Sequence, residues 1–251
     1  MQTQIKINKL SKTFKTASGN KKALDDVSLE IFEGDCLVIG GENGSGKSLL
    51  MSIIAGLEEA DFPANEHGRK AEATLSVQGR VGLVFQEAET QILGETPAED
   101  IAYGPKNLGW KKEEIKAAVQ DSLEKTNLTE KADFPARFLS GGEKRRLAIA
   151  CMLAMKLPVI ILDEPYANLD YKGVKQVNSL IHQLKTDGKT IIILTHEIEK
   201  CLGLANRFVV LFRGKKVFDG SPEEGLKQKL EDWNIRNPLI SYQTVKDLVW
   251  M

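Results

Sequence analysis

Cys36-Leu37-Val38-Ile39-Gly40-Gly41-Glu42-Asn43-Gly44-Ser45-Gly46-Lys47-Ser48 is the stretch on which the fold turns. Its first five residues form a continuous apolar run, the pattern of a short strand buried on both faces. A glycine-rich turn follows, and the apolar spacing of residues 49–56 then reads as a helix. Residues 41–48 fit G-x-x-x-x-G-K-[ST] in the strand–turn–helix context that this spacing requires. Triphosphate oxygens need several N–H donors converging on one point, and glycines let the backbone turn those groups inward. The helix starting near Lys47 adds the positive end of its dipole. Nucleotide contacts are therefore expected from Gly41, Glu42, Asn43, Gly44, Ser45, Gly46, Lys47 and Ser48. The Lys47 ammonium should reach the β- and γ-phosphates, and the Ser48 hydroxyl should ligate Mg²⁺.

Working outward, a second buried run at residues 159–162 ends in Asp163 and Glu164. A strand of an open α/β sheet delivers its last residues to the edge where ligands bind. Asp163 is expected to hold Mg²⁺, and Glu164 to act as general base on an attacking water. Residues 27–31, 80–85, 190–194 and 208–212 also read as strands, and residues 105–131, 141–156 and 171–185 as helices. Short apolar strands alternating with helices predict an α/β fold on a parallel sheet. Residues from about 87 to 155 read as an inserted helical subdomain of one domain spanning 1–220. Residues 221–251, with Trp233, Tyr242 and Trp250, read as a small C-terminal helical appendage, expected to stabilise a dimer.

The 251 residues carry a net charge of −1, with 42% apolar and 27% charged residues. That balance suits a globular domain and argues against a basic nucleic-acid-binding surface. Cys36, Cys151 and Cys201 are far apart and form no CxxC pair, so they read as small buried residues. The N-terminus lacks the apolar core of a signal peptide. The longest apolar stretch, residues 147–162, is interrupted by Lys156 and Pro158, whereas a membrane span needs about 20 apolar residues. The chain is expected to be soluble, with no direct membrane insertion.

Leu139-Ser140-Gly141-Gly142-Glu143, followed by Lys144-Arg145-Arg146, lies between the phosphate loop and the Asp163–Glu164 pair. Alone it would be an N-cap and a turn. In this order it resembles the signature sequence of ABC ATPases, and the resemblance extends over roughly residues 3–220. It implies a P-loop NTPase of ABC type, with a mainly parallel sheet core, an antiparallel β-subdomain and an inserted helical subdomain. Gln86 resembles the Q-loop glutamine, a Mg²⁺ and water contact. His196 resembles the switch histidine on the γ-phosphate. Asp170, closing Ala167-Asn168-Leu169-Asp170, resembles the D-loop acid at a dimer interface, and Phe14 the aromatic that stacks on adenine. ATP and Mg²⁺ are implied, and so is a second ATPase subunit, because Ser140, Gly141 and Gly142 would complete the site of the other copy. That dimer is either homomeric or heteromeric.

Val84-Phe85-Gln86, Gln91, residues 99–105 (EDIAYGP), residues 107–109 (NLG) and residues 213–220 (RGKKVFDG) are similar to the energy-coupling-factor ATPases of cobalt, nickel and vitamin importers. The implied function is an ATPase subunit powering such an importer from the cytoplasmic face of the membrane, through a transmembrane coupling subunit. Glu87, Glu89, Glu95, Glu99 and Asp100, with no Lys or Arg among them, suggest an acidic groove for a basic coupling helix. Charge reversal at Glu99 and Asp100 is then expected to weaken that binding and spare ATP. Residues 61–79 depart from the family pattern, lacking a tidy hairpin between two glycines. The alternatives are another transporter class, or an ABC ATPase acting on nucleic acid; the single motif set, the short gap between motifs and the absent zinc cysteines disfavour the latter.

Overall fold

The computed structural model describes residues 2–17, 19–61 and 74–240. The chain opens on two long antiparallel strands, β1 (Thr3–Thr16) and β2 (Gly19–Phe32), whose alternating residues Ile5, Ile7, Val27, Leu29 and Ile31 are buried. β3 (Cys36–Gly40) then runs into α1 (Lys47–Ile54). A short β4 (Thr74–Val77) adds to the free edge of β1, giving an antiparallel sheet ordered β2-β1-β4. Within the departure expected over residues 61–79, Asp61 bridges Ser11 and β4 pairs with β1; residues 62–73 lie outside the described residues.

The second sheet holds β5 (Val81–Val84), β6 (Val159–Asp163), β7 (Thr190–Thr195), β8 (Arg207–Phe212) and β9 (Lys215–Gly220), in the order β5-β6-β7-β3-β8-β9. All pairings are parallel except β8 with β9. Both faces of this sheet are covered, which is why its strands read as unbroken apolar runs. Cys36 and Val38 of β3 face one core, with Ile160, Leu162 and Ile191. Leu37 and Ile39 face the other, where Leu50, Met51 and Ile53 of α1 and the antiparallel sheet pack. Each such fully buried side chain contributes about 1.5–3 kcal/mol of transfer free energy.

Between the adjacent strands β5 and β6 the chain inserts α2 (Pro97–Asn107), α3 (Lys112–Lys125) and α4 (Gly141–Ala154), which share their own core of Ile101, Ala118, Leu123, Leu147 and Ala150. The charged run at residues 111–114 is exposed, as its position on α3 requires. The first of these helices begins eight residues before the expected Pro105. Its start signal is Thr96, whose hydroxyl accepts the Glu99 N–H, followed by Pro97 in the first turn. Pro105 sits near the helix end, where the missing N–H costs one bond and does not stop the helix.

α5 (Tyr171–Thr186) lies between β6 and β7 and presents Val177, Leu180, Ile181 and Leu184 to the sheet. Beyond β9 a capped turn, α6 (Pro222–Gly225), leads to a 3₁₀ turn at Leu230–Trp233. Leu230 and Ile235 are buried in the same core as Phe208, and Trp233 packs on Phe218. Residues 241–251, with Tyr242 and Trp250, lie outside the described residues. Among the described residues no helix is long and apolar enough to cross a membrane. Cys36, Cys151 and Cys201 are unbridged; Cys36 and Cys201 are buried, with burial raising the Cys36 thiol to about 11, and the half-buried Cys151 donates to Asp100 Oδ2 at 3.3 Å.

Candidate active site

The loop after β3 closes tightly around Lys47. Its ammonium donates to the carbonyls of Gly41 at 2.8 Å and Glu42 at 3.1 Å, and the Ser45 N–H also donates to Glu42 O, at 3.2 Å. Two glycines are required, Gly41 by contact and Gly46 chiefly by its left-handed backbone. A Cβ on Gly41 would collide with the Leu211 carbonyl, and one on Gly46, at φ 103°, would lie 2.7 Å from Leu24 Cδ2. The turn after β8 buttresses the loop, because Gly214 N donates to Ser45 O at 3.0 Å. Above it opens a cleft of about 380 Å³ lined by Asn43, Gly44, Lys47, Ser48, Gln86 and Glu164.

β6 and β7 bring the carboxylates and the histidine to this cleft. Glu164 is 6% exposed and held at both oxygens. Thr195 Oγ1 donates to Oε2 at 3.0 Å; the His196 N–H donates to Oε1 at 3.2 Å, with His196 Nδ1 2.9 Å from the same oxygen. Lys47 Nζ lies 4.0 Å from Oε1. Burial lowers the Lys47 pKa, opposed by the charges of Glu164, Asp163 and Glu42. Burial raises that of Asp163, opposed by a hydrogen bond from Ser48. Asp163 Oδ1 is buried with no partner. An orphaned oxygen on a carboxylate that is hydrogen-bonded to Ser48, with the exposed Gln86 amide on the same cleft as Ser48, makes a hard oxygen donor set. It fits Mg²⁺, which takes one or two carboxylates and completes its shell with water and phosphate oxygens.

Ser140, Gly141, Gly142 and Asp170 are brought together elsewhere, around a second cleft of about 350 Å³ that Arg146 and Asn168 also line. The two clefts share no lining residue. Ser140 caps α4 in a reciprocal box: its hydroxyl accepts the Glu143 N–H, and Glu143 Oε2 accepts the Ser140 N–H at 2.9 Å. Asp170 caps α5, accepting the Gly173 N–H at 2.7 Å. Phe14 stands apart from the phosphate cleft on β1, 39% exposed, with the Lys12 ammonium 5.3 Å from its ring centroid.

Of the acids read as a groove over residues 87–100, Glu87, Glu95 and Glu99 are exposed, and the place given to Asp100 and Glu89 requires correction. Asp100 is 4% exposed and faces inward, accepting the N–H groups of Leu93 at 2.7 Å and Gly94 at 2.8 Å. Glu89 pairs with Lys144 at 2.8 Å. The groove beside Phe85 and Gln91 is instead mostly apolar, lined by Leu57, Leu83, Met152, Met155 and Leu157, with Arg80 as its charge. Charge reversal at Asp100 would disrupt the loop and report nothing about docking. Two site residues escaped the sequence reading. Thr195 falls just past the strand read at 190–194 and in the structure is the last residue of β7, next to His196. Arg145, 4% exposed, donates to the Phe85 carbonyl at 3.1 Å, just before Gln86.

A family model described as ABC transporter matches residues 24–167. The cobalt import ATP-binding protein CbiO of Rhodobacter capsulatus is 37% identical, covering 88% of this chain and 82% of that protein. The energy-coupling factor transporter ATP-binding protein EcfA1 of Clostridioides difficile is also 37% identical, covering 89% of this chain and 82% of that protein. Among solved structures, cbiO1 of Clostridium perfringens, part of the ABC transporter complex cbiONQ, superposes with a TM-score of 0.78 at 27% identity, over 95% of this chain and 97% of that one. The cassette MJ0796, captured as a dimer in a post-hydrolysis state with ADP and Pi, gives 0.74 at 26% identity, over 87% of this chain and 98% of that one.

Proposed function

The chain belongs to the ABC transporter family, and from that membership we propose that it is the ATP-hydrolysing subunit of an energy-coupling-factor-type importer for a metal ion or a vitamin. The observation that carries the reading is the meeting of the phosphate loop, Ser48, Gln86 and Glu164 at one cleft, with Asp163 and His196 bonded to its members.

Each side chain then has a task. Lys47 exchanges the carbonyls of Gly41 and Glu42 for β- and γ-phosphate oxygens. Ser48, Asp163 and Gln86 would hold Mg²⁺, which when bound neutralises developing phosphate charge. Glu164 takes the proton of the attacking water. His196 and that water compete for Glu164 Oε1. A histidine that turns to the γ-phosphate frees the oxygen the base needs. Phe14 stacks on adenine. Ser140, Gly141 and Gly142 of a second ATPase subunit close over the triphosphate, with Asp170 at the junction; the separate clefts in one chain support this. The apolar groove beside Gln91 suits a helix of a transmembrane coupling subunit, with the ATPase peripheral on the cytoplasmic face. On this reading residues 1–220 are assigned to the ATPase domain, with its helical subdomain at about 87–155, and 221–251 to a C-terminal extension whose Leu230 and Ile235 join that domain's core.

The test is ATP turnover and assembly together. Lys47→Ala should lose nucleotide affinity, and Glu164→Gln should bind ATP yet hydrolyse it at least about a hundredfold more slowly. The wild-type chain should co-purify with an integral membrane subunit. Undiminished hydrolysis by Glu164→Gln would remove the general base, and recovery with nucleic acid alone would remove the transporter.

A further inference from the structure

Glu42 is the one acid in the phosphate loop. A carboxylate there is at odds with a triphosphate site: it repels the ligand and attracts Lys47, whose ammonium already feels its charge. The Glu42 carboxylate is engaged instead by the C-terminal segment. Asn234 Nδ2 donates to Glu42 Oε2 at 2.7 Å, across 192 positions of sequence. The donor is exposed, but the backbone that carries it is anchored on both sides. Asn234 closes the 3₁₀ turn in a left-handed conformation, φ 56°, between buried Leu230 and buried Ile235. Trp233 lies 6.3 Å from Phe218, and Asn237 Nδ2 donates back to Leu226 O at 3.2 Å. Meanwhile the Glu42 carbonyl accepts from Lys47 and Ser45. The backbone of Glu42 thus serves the loop while its side chain is held outside the phosphate cleft, which it does not line.

We infer that Asn234 is a positioning residue of the nucleotide site, whose amide keeps the Glu42 carboxylate off Lys47 and away from the incoming triphosphate. This rests on the reading of residues 41–48 as a triphosphate loop.

The experiment is calorimetric titration of the full chain with the magnesium complex of a non-hydrolysable ATP analogue. Asn234→Gly removes the amide yet keeps the left-handed backbone that alanine would strain. Its Kd should rise about fivefold, the value of one net hydrogen bond. The loss should be larger at low salt, because a released carboxylate acts by charge. Asn234→Asp should lose at least as much. In a Glu42→Ala background, Asn234→Gly should change nothing. Wild-type affinity in Asn234→Gly, or an equal loss with and without Glu42, overturns the inference, as does a lowered melting temperature with unaltered affinity. Lys47→Ala binding as well as wild type overturns the triphosphate reading itself, a separate result.

Discussion

Thr195 holds the carboxylate proposed as the general base. It is fully buried, and both of its roles are fixed: it accepts the Glu197 N–H at 3.0 Å and donates to Glu164 Oε2 at 3.0 Å. Glu164 itself sits at φ 44°, a left-handed conformation that is costly for a side chain with a Cβ. The backbone throws its carboxylate toward the end of β7, where Thr195 and His196 orient it. Thr195→Val keeps the shape and removes the donor. Losing a hydrogen bond to a charged group costs about 1.5–3 kcal/mol, so turnover at saturating MgATP should fall by at least about tenfold. Nucleotide affinity should hold, since Thr195 is absent from the lining of the cleft. Thr195→Ser should restore the rate. A valine variant with unaltered kcat would show that Glu164 is aimed by His196 alone.

The helix α4 ties the signature loop to the rest of the site at two points. At its start, burial pushes the Glu143 carboxyl up, but the Lys131 ammonium and the Ser140 hydrogen bonds outweigh this and hold it at about 2, below its ordinary 4.5. A depressed carboxylate stabilises the fold fully above the ordinary value and loses that contribution as pH falls toward the folded one. Glu143→Gln should therefore lower the urea midpoint at pH 6, and the gap should narrow between about pH 4.5 and 2. A gap independent of pH would mean that the charge contributes nothing to the cap. One turn further on, Arg145 donates to the Phe85 carbonyl, which ties a helix of the inserted subdomain to the residue before Gln86. Arg145→Met should slow hydrolysis more than it weakens ATP binding, measured as kcat against Kd; equal losses would make Arg145 a packing residue only. Among the elements, β3, β6 and β7 were plain in sequence because a strand covered on both faces leaves an apolar run with nothing polar in it. The start of α2 was not, because Pro105 also suits a first turn, whereas the cap at Thr96 and Pro97, eight residues before Pro105, is what starts the helix. Asp100 misled for a related reason: composition shows its charge, while the fold of residues 93–94 back onto it turns that charge inward.

For the whole molecule, the division of labour between two clefts sets what a single chain can do. Deleting the chain from Ser221 is a poor probe of assembly, since it strips Leu230 and Ile235 from the core and Asn234 from Glu42. A cleaner test follows from the geometry. One chain offers a phosphate loop in one cleft and a serine–glycine loop in another that shares no residue with it. Two chains arranged about a two-fold axis would form two complete sites, each with Lys47 from one and Ser140 from the other. Lys47→Ala spoils the first half, and Ser140→Arg, which fills the second loop with a long side chain, spoils the other. In a pure dimer of either variant every site carries a defect. In a mixed dimer both defects fall in one site and the other is intact. Mixing the two variants, each carrying Glu164→Gln to trap the closed state, should therefore produce an ATP-dependent dimer binding one nucleotide at the affinity of the parent. Light scattering and equilibrium dialysis would measure both quantities. A mixture that binds no better than its parts, with both variants folded by circular dichroism, would mean that a second copy of this chain does not complete the site. The serine–glycine loop would then have to come from a different ATPase subunit.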